Sequence, residues 1–513
     1  MAMAFLGASC KKELNQGPID ATYSQVFWTS QSNVEEAANA MYGQLRSALR
    51  VTCPYDNQEG AFFVFGDFVA GLFNPASNDV FLTYGLTRGN KYNFSYVPYW
   101  DSYVHNWSRF YQIIALSNAM LQYVPGMSTS LFPGGDAQKN NYLAEAYFIR
   151  AYTYFYITKV WGDPVYVAKT YNDVDFGNIP PVPRSPEKSV LDSCLTDLRV
   201  AQSYMQYSGG DPSKTVRANK GSVQALMANI FAWEHNDDST HYYCQQVINN
   251  GGYSLEPASN YANIWKGMSS GESIFELAML YNASDPNFKN QTAWAEANFN
   301  FFAGFIVVTN LNLRTSSWTV PYAQVLDSNY LNMDTLHDAR FRSIFIPSNT
   351  SSASTYNMVK YANIQYGDKA TSSYPYINND LVLMRLPEMY LLDAEALNRK
   401  GNILGARNAL QVVENRSGIT SYTIPQNQED MAIEIVREEG REFIGEGHFF
   451  FDLIRTRNDG LNFLGNLGYG TTNVGDRLND AMKGYYWPLD MGTLLIQDPL
   501  LTQNPWWTIN SGH

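Results

Sequence analysis

The sequence predicts a mainly α-helical protein, a superhelix of stacked helix pairs broken by one long, loop-rich insert. Three observations predict it. Apolar residues recur at the helical period through most of residues 33–250. Residues 255–380 lose that period and fill with Asn, Ser, Thr, Gly and aromatics. The helical period then returns over residues 386–444.

Residues 33–49, NVEEAANAMYGQLRSAL, set Val34, Ala37, Ala38, Met41, Leu45 and Leu49 on one face. Residues 100–124 repeat the pattern with Val104, Trp107, Tyr111, Ile114 and Leu121. Residues 140–162 do so again, with Gly162 placed to end the helix and Pro164 just beyond. Residues 185–205 open with Ser185 as a cap and Pro186 at the first helical position. Residues 218–236 and 238–250 form a further pair. After the insert, helices are expected over 386–401, 402–418 and 427–444. The tail, 485–507, is Pro-punctuated and reads as extended. Helix pairs of this length suggest tetratricopeptide-like units of roughly 34 residues.

The 513 residues are 45% hydrophobic, enough for a large core. With 35 basic and 48 acidic residues the net charge is -13. No basic stripe is present to neutralise phosphates, which excludes nucleic acid as the partner. Aromatics reach 15%, and 36 of them are tyrosines. Tyr and Trp pair a flat apolar face with a polar handle, which suits wet recognition surfaces. The bland reading of any one aromatic is packing. Trp107, Trp161, Trp233 and Trp265 are read that way.

Cysteines stand at 10, 53, 194 and 244, without the spacing of a zinc site. Cys10 follows the apolar, small-residue run MAMAFLGAS and precedes the polar KKELNQGP. An apolar run, small residues, then Cys is how a bacterial lipoprotein signal ends. Cys10 is therefore the expected lipid anchor, with residues 1–20 a signal remnant and tether. No run of about 18 apolar residues occurs elsewhere.

Residues 437–455, REEGREFIGEGHFFFDLIR, carry the densest charge. Glu442 and Glu446 lie one helical turn apart, and His448 could partner Glu446 in acid–base chemistry. Gly445 and Gly447 break that face, and no second His supplies a zinc pair. Arg437, Arg441, Arg455 and Arg457 nearly balance the acids. A paired structural cluster, clamping the last repeat helix to the first half, is the expectation. No GxSxG, P-loop, HExxH or dinucleotide fingerprint occurs. Asp334 and Asp338 fit no EF-hand loop. Neither a metal nor a cofactor is expected.

Sugar rings stack their C–H faces on aromatic planes, and their hydroxyls take Asp, Asn, Arg or Gln. Two segments offer those parts. Residues 78–103 interleave Tyr84, Tyr92, Phe94, Tyr96, Tyr99 and Trp100 with Asp79, Arg88 and Asn90. Residues 294–318 offer Trp294, Phe301, Phe302, Asn312, Arg314 and Trp318. The expected ligand-binding set is Asp79, Arg88, Tyr96, Tyr99, Trp100, Trp294, Phe302 and Trp318.

Several stretches together resemble the SusD/RagB-like nutrient-binding lipoproteins of the Bacteroidetes outer membrane. They are REEGREFIGEGHFFFDLIRTR, RLPEMYLLDAEALNRKG, AEAYFIRAYTYFYITKVWGDP, SLEPASNYANIWKG, and the closing YYWPLD with LLTQNPWW. The resemblance runs along nearly the whole chain and is weakest over 255–380. It implies a tetratricopeptide-containing, lipid-anchored surface protein with no catalytic residues. Such a protein sits as a lid on a SusC-like TonB-dependent transporter and captures a glycan for import. It also implies that Trp100, at the tryptophan position opening the early helix, contacts ligand. The corresponding regions are 1–20, a helical region 21–254, the insert 255–380, returning helices 381–460 and a packed tail 461–513. Two alternatives remain at this point, a peptide-binding member of the same family and a glycoside hydrolase. The second stays open because two carboxylates need no local motif.

Overall fold

The computed structural model describes residues 27–51, 60–70, 72–74, 102–170, 180–209, 211, 215–265, 270–279, 301–302, 322–323, 331–347, 356–368, 373–377, 379–419, 425–459 and 479–510. Helix α1 (Gln31–Leu49) starts where Ser30 accepts the Asn33 N–H, and it buries the stripe read from sequence. Helix α2 (Ala61–Gly66) is buried on every side. Strand β1 (Phe73–Asn74) follows.

The helix expected over 100–124 is two helices, α3 (Ser102–His105) and α4 (Ser108–Tyr123). Asn106 Oδ1 accepts the Ser108 N–H at 2.9 Å, a local bond that competes with the helical ladder and breaks it. Helix α5 (Gly135–Trp161) starts five residues before the expected point and ends at Gly162, whose φ is 78°. Helix α6 is Glu187–Tyr204. Ser185 does not cap it. Asp163 Oδ1 accepts the Glu187 N–H at 2.9 Å instead, so the cap comes from 24 residues upstream. Helices α7 (Lys220–Trp233) and α8 (Asp237–Asn250) are capped by Asn219 and Asn236.

The insert contributes β2 (Ser273–Leu277), β3 (Tyr322–Ala323), α9 (Ala339–Ile344), β4 (Phe345–Pro347), β5 (Tyr356–Met358), β6 (Ile364–Asp368) and β7 (Ser373–Ile377). Strand β8 (Leu381–Arg385) leads directly into α10 (Leu386–Arg399). Helices α11 (Ile403–Arg416) and α12 (Gln428–Phe443) are capped by Asn402 and Asn427. The short helix α13 is Phe449–Arg455. The tail is not wholly extended, for it forms α14 (Leu494–Gln497) and α15 (Pro505–Asn510). Asp490 starts the first of these turns by accepting from the Gly492 and Thr493 N–H groups.

Helices α1, α4, α5, α6, α7 and α8 stack in that order, and α8 packs on α10, which packs on α11 and α12. The superhelix therefore continues across the insert. The insert leaves and re-enters through an antiparallel pair, β2 with β8, whose ends match Ser273 to Arg385 and Leu277 to Leu381. A four-stranded sheet has the order β1-β3-β5-β4, and β6 pairs with β7. One hydrophobic core runs from α1 to the tail, with a smaller cluster around α10, α11 and α12. Trp161 and Trp487 are its largest fully buried side chains.

Candidate functional site

The two aromatic segments are separated by 190 residues of sequence. Strand β1 precedes the first, and strand β3 follows the second. These strands pair antiparallel, Phe73 opposite Ala323 and Asn74 opposite Tyr322. Neighbouring strands lie about 4.8 Å apart, so the two segments are rooted side by side.

The far end of the first segment leads into α3, which is held by α5 and the tail. Val104 O accepts the Trp161 indole N–H at 3.1 Å, and His105 O accepts the Asp490 N–H at 3.1 Å. The Phe65 ring of α2 meets Trp161 at 5.3 Å and Trp487 at 5.1 Å, both edge-on. Helix α2, which leads toward β1, and α3, which follows the first segment, thus meet one aromatic hub.

Of the expected ligand-binding residues, Asp79, Arg88, Tyr96, Tyr99, Trp100, Trp294 and Trp318 lie outside the described residues, as does the expected anchor, Cys10. Phe302 is described, and it corrects the expectation. It is fully buried, with its ring 4.7 Å from Tyr361 and 4.9 Å from Phe301. Phe301 is 4.9 Å from Phe63. These rings fasten the second segment to α2. Phe302 is a packing residue because its ring has no face left for a sugar. Trp107, Trp161 and Trp265 are core residues as expected, whereas Trp233 is only partly buried.

The charge-rich stretch is the centre of a buried ion-pair network. Arg385 donates to Glu446 Oε2 at 2.8 Å, to Glu446 Oε1 at 2.9 Å and to Glu272 at 2.7 Å, and it also binds Glu442. Arg416 joins Glu272 at 2.9 Å and pairs with Glu442. Arg340 bonds Glu438 at 2.6 Å, Glu442 at 2.7 Å and Asp338 at 2.7 Å. Lys360 pairs with Glu446. Burial opposes the charge on Glu442, but Arg416, Arg385 and Arg340 hold its carboxyl well below the usual range. The network joins the insert's neck, the insert itself and α12. The cations that complete it come from outside the stretch, which is why sequence alone did not reveal them.

The same stretch is clasped to the first half. Asp67 accepts the Gly445 N–H at 2.9 Å and the Gly447 N–H at 2.6 Å. Burial pushes its carboxyl up to about 7, against the pull of those two N–H groups. Both glycines sit at positive φ, 79° and 70°, which lets their N–H groups converge.

His448 lies between two acids, with Nδ1 2.5 Å from Asp452 and Nε2 2.9 Å from Glu388. Burial disfavours its charge, yet Asp452 and Glu388 prevail and raise it to about 10. A histidine held as a cation cannot serve as a general base near neutral pH. Arg455 engages Asp452, Glu395 and Glu439. The stretch is a structural rivet, as expected, rather than an open acid–base pair. Asp338 is likewise spent on Arg340 and the start of α9, and Asp334 on the N–H groups of Leu336 and His337.

A helix-pair superhelix of this architecture has known counterparts. Residues 346–507 match the SusD family, and residues 72–232 match the family described as starch-binding associating with outer membrane. Together they span well over half of the chain, and the protein belongs to the SusD/RagB family, a family of glycan-binding proteins. Among its relatives, SusD-like protein P38 of Formosa agariphila is 24% identical over 97% of this chain and 95% of its own. A SusD homolog from Bacteroides thetaiotaomicron has the same fold, with a TM-score of 0.70 and 24% identity over 94% of this chain and 99% of that one. A laminarin-binding SusD-like protein superposes with a TM-score of 0.64 and 19% identity, covering 93% of this chain and 99% of that one.

Proposed function

We propose that this protein is a lipid-anchored glycan-binding protein of the outer-membrane surface. It captures an oligosaccharide or polysaccharide without cleaving it and passes it to a SusC-like TonB-dependent transporter. The pairing of β1 with β3 carries this reading, because it roots two aromatic-rich segments at one sheet edge. Trp100 lies two residues before Ser102, where α3 begins, and Trp318 four residues before Tyr322, where β3 begins. Indole rings can stack on a sugar chain at small entropic cost.

Family membership, the description naming the outer membrane, and the laminarin-binding structural neighbour support the location and the ligand class. The Cys10 lead-in supports the anchor. The pairing of the conspicuous acids with buried arginines supports capture rather than hydrolysis.

The test is titration of the protein with laminarin, starch and other soluble polysaccharides, followed by calorimetry. Micromolar affinity for one of them and no new reducing ends are expected. The Trp100→Ala/Trp318→Ala variant should lose binding and keep its unfolding midpoint. Unchanged affinity in that variant would place the ligand elsewhere.

A further inference from the structure

A second concavity lies away from the paired strands. It is a groove of about 200 Å³ between the start of α6, the end of α7, the turn after α13 and the tail before α14. None of its described lining residues belongs to α2, β1, β3 or α3. Ligand pockets for drug-sized molecules run from about 300 Å³ upward, so this groove fits one ring rather than a chain.

Its walls are preorganised. Glu187 accepts the Trp233 indole N–H at 2.7 Å and the Tyr486 hydroxyl at 2.6 Å, so a carboxylate already fully engaged holds two aromatic side chains in place. The Arg457 guanidinium lies 4.6 Å from the centroid of the Tyr485 ring. Asp480 Oδ1 takes both Arg457 and the Tyr485 hydroxyl, the latter at 3.2 Å.

The groups left over are of mixed kind. Asp480 Oδ2 is an acceptor with no partner among the described residues, and the exposed Asn458 amide offers donor and acceptor together. Arg457 Nε is a buried donor without a partner among the described residues. His235 Nε2 donates to Arg455 O at 2.9 Å, which leaves Nδ1 as an acceptor. Arg457 and Asp480 cancel in charge. Donors and acceptors side by side, with little net charge, match a polyhydroxylated ring better than an ion.

Backbone strain gathers at the same place. Three non-glycine residues adopt positive φ among the described residues. Two of them are His235 (φ 55°), in the groove wall, and Lys483 (φ 50°), in the segment that carries Tyr485 and Tyr486. Such conformations are strained for residues other than glycine and cluster where geometry serves a ligand.

We propose that this groove is a second carbohydrate subsite, binding one neutral hexose unit through Asp480, Asn458, His235 and Arg457. It deepens the glycan-binding reading and is separable from it. The test titrates D-glucose, D-galactose, D-mannose and N-acetylglucosamine into the full chain, followed by saturation-transfer NMR and tryptophan fluorescence.

At least one sugar should bind in the millimolar range and perturb a fluorescence component that the Trp233→Phe variant lacks. The Asn458→Ala/Asp480→Ala variant alters two exposed residues and should keep its unfolding midpoint. Its hexose affinity should fall about tenfold, with polysaccharide affinity at the loops retained. The Trp100→Ala/Trp318→Ala variant should show the reverse. The proposal is overturned if no sugar of the panel binds. It is equally overturned if the Asn458/Asp480 variant binds as wild type, or if hexose binding disappears with Trp100 and Trp318.

Discussion

Asp67 and Gly447 are joined by a 2.6 Å hydrogen bond across 380 residues of chain. The contact is so close that a Cβ at Gly66 would lie 2.0 Å from the Gly447 carbonyl. Backbone meets backbone there, and neither side can yield cheaply. Gly66→Ala is expected to destabilise the protein by about 1–3 kcal/mol or more, read from urea denaturation.

Asp67 also predicts a pH dependence. Its folded value of about 7 lies above its ordinary 3.8, so the folded state binds more protons between them. Its contribution to stability therefore falls as pH rises through that window. Asp67→Asn keeps the size and removes the titration. The wild-type protein should lose stability relative to Asp67→Asn on going from about pH 5 to about pH 8. A constant difference between the two would show that Asp67 does not titrate there.

His448 predicts a second window of the same sign at higher pH. Its folded value of about 10 exceeds the ordinary 6.5, so its stabilisation is complete below 6.5 and is lost as pH rises through 10. His448→Gln should be destabilised most at pH 6.5, by about 3–5 kcal/mol, because Asp452 and Glu388 lose their cation. The gap should narrow toward pH 10. Denaturation series at several pH values measure it.

Arg385 holds three carboxylates at once, those of Glu272, Glu442 and Glu446. Arg385→Met should cost about 3–5 kcal/mol because buried acids are left with too few cations. Arg385→Lys restores the charge without the planar fork and should recover only a minor part of that loss. Recovery to the wild-type urea midpoint would show that charge alone matters.

Ala323 pairs with Phe73 on one side and Tyr356 on the other. Its N–H faces one of these strands, so Ala323→Pro removes a ladder bond whichever it is. Glycan affinity should fall about tenfold or more, while the superhelix keeps its cooperative unfolding. Calorimetry and circular dichroism together separate the two effects.

The helices were legible because each buries a stripe at the 3.6-residue period. Val34, Ala37, Ala38, Met41, Leu45 and Leu49 are all buried as read. What failed was local chemistry with a distant partner. Ser185 has the right residue type for a cap, but Asp163 occupies the position. The strands of the insert are two to five residues long and pair across large gaps, 273–277 with 381–385, so no local period marks them. The acids of residues 437–455 were visible, whereas Arg340, Lys360, Arg385 and Arg416 carried no sign of where they would converge. Phe302 was misread because an aromatic in an aromatic-rich segment looks the same in sequence whether it faces ligand or core. Trp233 packs against the core as read, while its helical position gives no sign of the groove at its edge.

Strands β2 and β8 bring the two ends of the insert to within one strand spacing of each other. A chain that leaves and returns at one doorway imposes little on the scaffold it interrupts, whatever its length, because closure entropy grows only with the logarithm of length. Variation can therefore accumulate in the segment between Leu277 and Leu381 while the helix stack keeps its register. That freedom stops where Arg340 and Lys360 reach acids on or just beyond α12, where Phe301 meets α2 and where β3 pairs with β1. A lineage that preserves the doorway strands and these anchoring contacts can exchange much of what lies between them without rebuilding the scaffold.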